Sequence, residues 1–179
     1  INSGSVLLTA NTSTGPAPAT LMTNGIVLGN SASILYPNAS TYVVDRNRGI
    51  YVSGTAFISS SYGTSITAYV HGPISGPGQA YIWSASSLWL YMTGTNSAIN
   101  NAGGIIISMG YQGGLYTSGT RTLGSASIVY ENRSNSDASA VQTLTFNQDP
   151  SLSTHEIPGN ITWTGPALGT THSFFFDYE

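Results

Sequence analysis

At 179 residues, with 40% hydrophobic and 11% aromatic content, the chain suits one domain and can fill a sizeable core despite its low charge. Charged residues make up only 6%, Lys+Arg number four and the formal net charge is −3, which excludes a nucleic-acid binder working by phosphate neutralisation. With no cysteine, disulfide frameworks, zinc-thiolate sites and thiol catalysis are excluded as well.

Serine and threonine fill 47 positions, so the exterior is expected to be polar but uncharged. No apolar run approaches the ~20 residues of a membrane span, and no membrane insertion is expected. The chain begins at Ile1, with no basic start leading into an apolar stretch, and reads as a piece excised from a longer protein or a processed product. Helical periodicity is never sustained without a Gly, Pro or Ser/Thr cluster. What recurs is a short β-branched or aromatic run ended by turn residues, which predicts an all-β domain of the sandwich or barrel kind.

In chain order the predicted strands cover residues 5–9, 20–28, 32–36, 41–44, 50–58, 65–71, 80–83, 88–92, 105–109, 125–131, 141–146, 160–163 and 173–178. A Gly-Pro boundary at Thr14-Gly15-Pro16-Ala17-Pro18 divides a stalk segment, 1–18, from a head, 19–179. Ile66, Ala68 and Val70 alternate with Thr67 and Tyr69, so one face of that strand is core. His71 to Gln79 contains two Gly-Pro steps and reads as an exposed connection. Leu88, Leu90 and Met92 alternate with Trp89 and Tyr91, so both faces of this strand are apolar and the second is expected to meet a neighbouring chain. Gly110-Tyr111-Gln112-Gly113-Gly114 reads as a flexible segment presenting Tyr111 to solvent. An echo at Tyr51-Val-Ser-Gly-Thr55, Tyr91-Met-Thr-Gly-Thr95 and Tyr116-Thr-Ser-Gly-Thr120 has irregular spacing, which does not support a solenoid or propeller, and it reads as strand-ending turns.

Catalysis needs titratable groups gathered in one place, and the pool here is seven carboxylates and three histidines. Asp149, His155 and Glu156 share one stretch, which reads either as an acid, a base and a metal ligand or as a solvated loop. No nucleophile elbow, Walker loop, dinucleotide fingerprint or calcium loop is present, so neither metal nor cofactor nor enzymatic activity is expected. Asp45-Arg46-Asn47-Arg48 holds two of the four cations and reads either as a fork of donors for a carboxylate or sugar hydroxyls or as a polar hairpin tip. Those four residues, with Tyr111, are the candidate receptor-binding positions. The tryptophans and eleven tyrosines offer stacking platforms, with core or subunit packing the competing role for Trp83 and Trp89.

Two further stretches resemble a known family. Thr20-Leu21-Met22-Thr23 resembles the Thr-Leu-Trp-Thr motif at the shaft-to-head junction of adenovirus fibre proteins, and His172-Ser173-Phe174-Phe175-Phe176-Asp177-Tyr178-Glu179 resembles the aromatic last strand of their heads. Met22 replaces the motif's Trp, and the usual Gln before the final Glu is absent. The resemblance implies an antiparallel β-sandwich, a homotrimer at the tip of a virion spike, assembled in the host nucleus, and attachment to a host-cell receptor, either protein or glycan and in some cases sialylated. The competing expectations are a monomeric carbohydrate-binding module or bacterial adhesin tip, and a β-sandwich glycosidase with two carboxylates across a cleft.

Overall fold

The structure is a computed structural model that describes residues 1–36, 41–60, 65–84, 87–92, 98–109, 112–118, 126–132, 141–147, 161–164 and 171–177. The chain winds repeatedly through up to three sheets, each turn stacking on the one before. The first turn holds β1 (Gly4–Leu7), a 3-10 turn at Asn11–Thr14 and β2 (Met22–Leu28). The second holds β3 (Ala32–Tyr36), β4 (Thr41–Val44) and β5 (Arg48–Val52), and the third β6 (Thr55–Ser60), β7 (Ser65–Val70) and β8 (Ile74–Ser75). The fourth has β9 (Gln79–Ser84) and β10 (Ser87–Met92), and on its third side, among the described residues, Ile99 bridges Ile74. Beyond it come β11 (Ile105–Met109) with β12 (Gln112–Ser118), β13 (Ile128–Asn132) with β14 (Val141–Asn147), and β15 (Ile161–Thr164) with β16 (Thr171–Asp177).

The first sheet runs β1-β3-β6-β9-β11-β13-β15, the second β4-β7-β10-β12-β14-β16 and the third β2-β5-β8. Every described strand pairing is parallel. The fold is therefore a parallel β-solenoid, which corrects the expected antiparallel β-sandwich. The all-β class stands, but the connections are different. Parallel neighbours need a crossover of a dozen or more residues. Here the crossover is the rest of the turn: Ala32 pairs with Ala56 and Ala56 with Ala80, a step of 24 residues.

The same step stacks Ile34, Ile58 and Ile82 into one buried column, which Ile107 extends one residue later than that step, each at 1% exposure or less. In the second sheet Ile66, Ala68 and Val70 are buried as their alternation predicts, and Leu88, Leu90 and Met92 are likewise fully buried. That strand's apolar inward face is thus covered within one chain. The face expected to meet a neighbouring chain is the opposite one, which carries the half-buried Trp89 and Tyr91.

Two segments differ from expectation at the corners. Residues 50–58 do not form one strand, because Ser53 and Gly54 turn the chain from the third sheet into the first between β5 and β6. The Gly-Pro stretch after His71 is not an exposed connection: Gly72, Pro73 and Ile74 are buried, and Ile74 begins a strand. Successive corners nest directly on one another. A Cβ on Gly78 would lie 2.1 Å from the Gly54 carbonyl oxygen, and one on Gly103 would lie 2.6 Å from the Gly78 carbonyl carbon. Asn101, wholly buried, donates from Nδ2 to the carbonyls of Gly78 (3.0 Å) and Gly104 (2.5 Å), tying the fourth corner to the third.

Candidate functional site

Alternation along each strand sends one set of side chains into the core and the other outward, and parallel register stacks like positions from turn to turn. On the second sheet this brings Tyr69 of β7 beside Tyr91 of β10, with ring centroids 5.0 Å apart and planes 26° from parallel. His71 stacks on Tyr69 at 5.7 Å and 18°. All three are half-buried, with their rings on the outer face. In the adjacent outward column Trp89, also half-buried, has Thr67 on one side and Gly114 on the other. Burial lowers the His71 pKa from its ordinary value, and nearby Asp45 opposes the shift. The imidazole is therefore neutral at physiological pH.

The first sheet carries a second outward pair, Phe57 and Tyr81, at 5.2 Å and 31°, with Trp83 half-buried in the next column. Trp83 lies between Ser59 and Ser108 in register, and both serines are buried although they share its column. Neither Trp83 nor Trp89 belongs to the solenoid's interior.

The Asp45–Arg48 stretch forms the tight corner between β4 and β5. Asp45 Oδ1 accepts from the Asn47 backbone N–H at 2.8 Å, an Asx turn. Asn47 Nδ2 donates to the Pro18 carbonyl at 2.9 Å, and Arg48 NH2 to the carbonyls of Pro16 at 2.5 Å and Gly15 at 3.5 Å. This corner holds the segment before β2 against the second turn. Arg46 is exposed at its tip. Tyr111 lies outside the described residues, as do Asp149, His155 and Glu156, whereas Gln112–Gly114 begin β12 rather than a flexible loop.

Inside the corner from the first to the second sheet, Tyr36 and Tyr42 meet at 5.0 Å with their hydroxyls buried and unpaired. Burial, reinforced by Tyr42, pushes the Tyr36 phenol well above its ordinary pKa, so it stays protonated. Among the described residues no group of three or more His, Cys, Asp or Glu side chains converges, and no helix is long and apolar enough to cross a membrane.

The Tyr69–Tyr91–His71 stack was not singled out from the sequence. Its signal was present in β10, where Trp89 and Tyr91 make the outward positions as aromatic as the inward ones are aliphatic. The alternation within β10 does not reveal its register with β7, which places Tyr91 beside Tyr69. Comparison with family models, curated proteins and solved structures gives no match to this chain, and nothing identifies it as a fibre head.

Proposed function

We propose that this chain is a non-enzymatic attachment module, a rigid solenoid segment whose outer sheet faces adhere to a cell-surface receptor. The observation that carries this reading is the pairing, on two sheets, of partly exposed aromatic rings in register, set in an exterior of hydroxyl and amide groups with very few charges. Aromatic rings with polar tips are the side chains that give contact area at low entropic cost. A solenoid suits such a role because each turn is braced by its neighbours and presents the same face repeatedly. In this reading one chain acts alone, in the manner of an adhesin tip, on the core that its own strands build. The test is adhesion of beads coated with the purified chain to cultured epithelial cells. Retention under flow, competed by soluble chain, supports the reading. Retention no greater than for albumin-coated beads overturns it.

A further inference from the structure

We propose that the receptor is a protein and that it docks an apolar, uncharged surface on the outer face of the first sheet. This rests on the attachment reading and specifies its partner. Two outward columns cross that sheet in register, one through Ser33, Phe57, Tyr81, Ile106 and Val129 and the other through Leu35, Ser59, Trp83 and Ser108. A parallel sheet that is apolar on both faces is ordinarily covered on both. Here the inner face is core, while Leu35, Phe57, Tyr81, Trp83, Ile106 and Val129 stay half-buried on the outer one. Leu7, which is exposed, extends the second column onto β1.

The chemistry of this strip selects a protein over a glycan. Sugars are held through hydrogen bonds to their hydroxyls, and the serines of the strip have theirs engaged or covered. Ser33 Oγ donates to Ser5 Oγ, Ser59 Oγ donates to the Ile34 carbonyl, and Ser108 is wholly buried. Contact with a protein needs no such groups. Trp and Tyr dominate the binding energy there, charged residues are depleted from the centre, and side chains of facing surfaces interdigitate. Phe57 and Tyr81, at 5.2 Å and 31°, present their edges, and Trp83 follows in the next column, so the strip is a ridge that fits between side chains rather than a flat platform.

Charge and size agree with this. From β3 to β11 neither column contains Asp, Glu, Lys or Arg, whereas the second sheet runs into the Asp45–Arg48 corner. Such a strip has no cation with which to hold a polyanion and no charge to leave unpaired beneath an apolar partner. The six strands from β1 to β13 span about 29 Å at about 4.8 Å each, and about five residues of strand span about 17 Å. That is roughly 500 Å² per partner, or roughly 1,000 Å² in all, the lower bound for a specific protein contact and the range of reversible ones.

The experiment is the bead assay on epithelial cells treated either with trypsin or with neuraminidase and N- and O-glycosidases, and then fixed. Trypsin should abolish retention, and the glycosidases should leave it unchanged. Tyr81→Lys and Ile106→Lys, which set a charge within the strip, should each lower the number of retained beads about tenfold. Ser33→Arg adds a charge beside Phe57 without removing an apolar side chain and should act likewise, so it serves if circular dichroism shows the other two unfolded. Thr67→Lys, outward on the second sheet, should leave retention unchanged. Retention that survives trypsin, is lost to the glycosidases, or is unaltered in the first-sheet variants overturns the proposal. So does a dimer in light scattering that Ile106→Lys dissociates, since the strip then meets a second copy of this chain. Absence of adhesion by the unaltered chain sinks the attachment reading itself.

Discussion

Replacing Gly78 with alanine separates the solenoid from any fold in which the Gly-Pro stretch is a surface loop. On an exposed loop Gly→Ala is neutral or stabilises by about 0.4–1 kcal/mol, because it restricts the unfolded chain. In the solenoid the new Cβ would lie 2.1 Å from the Gly54 oxygen, 2.6 Å from its nitrogen and 2.9 Å from its carbonyl carbon, where ordinary contact begins at 3.4 Å. Every obstacle is backbone, so no side chain can rotate away and the fourth turn must lift from the third. That movement strains Gly78 N–H to Val52 O (2.8 Å), Gln79 N–H to Gly54 O (3.1 Å) and Asn101 Nδ2 to Gly78 O (3.0 Å). Overpacking costs about 1–3 kcal/mol and each weakened hydrogen bond about 0.5–1.5 kcal/mol, so a destabilisation of about 3 kcal/mol or more is expected. Urea unfolding followed by tryptophan fluorescence measures it. An unchanged or raised midpoint would refute the nested corners and with them the register.

Further expectations follow from the other corners. Arg48→Ala should cost about 1–2 kcal/mol in the same assay, because it frees the Gly15 and Pro16 carbonyls. Arg46→Ala, at the exposed tip of the corner, tests a receptor role when adhesion and the urea midpoint are measured together, and unaltered cell adhesion would argue against that role. Asn101→Asp removes two donated hydrogen bonds and places a carboxylate where nothing is exposed, so a loss of more than about 3 kcal/mol at pH 7 is expected; a near-native Tm would contradict the buried corner. The lowered pKa of His71 means the unfolded chain takes up a proton first as pH falls below 6.5, so stability should decline from there until the folded imidazole is also protonated, then level off. His71→Phe should flatten that slope in Tm measured from pH 7.5 to 5; a wild-type slope of opposite sign would mean the ring is stabilised as the cation.

The sequence by itself determined that this is a sparsely charged all-β chain, where most of its strands lie and which face of several is core. Residues 32–36, 41–44 and 105–109 match their strands to the residue, and the inward set Ile66, Ala68 and Val70 follows from period-two alternation alone. Strand direction was not available in that pattern, since alternation looks the same in a hairpin and in a solenoid turn, and a corner glycine resembles a hairpin glycine. The informative signal was the 24-residue recurrence of Ala32, Ala56 and Ala80 with Ile34, Ile58 and Ile82. The tyrosine echo obscured it, because Tyr51 sits on the third sheet while Tyr91 and Tyr116 are true register partners on the second. Which outward rings meet was decided only in three dimensions: Tyr69 and Tyr91 are 22 residues apart, and backbone hydrogen bonding between successive turns places one ring on the other.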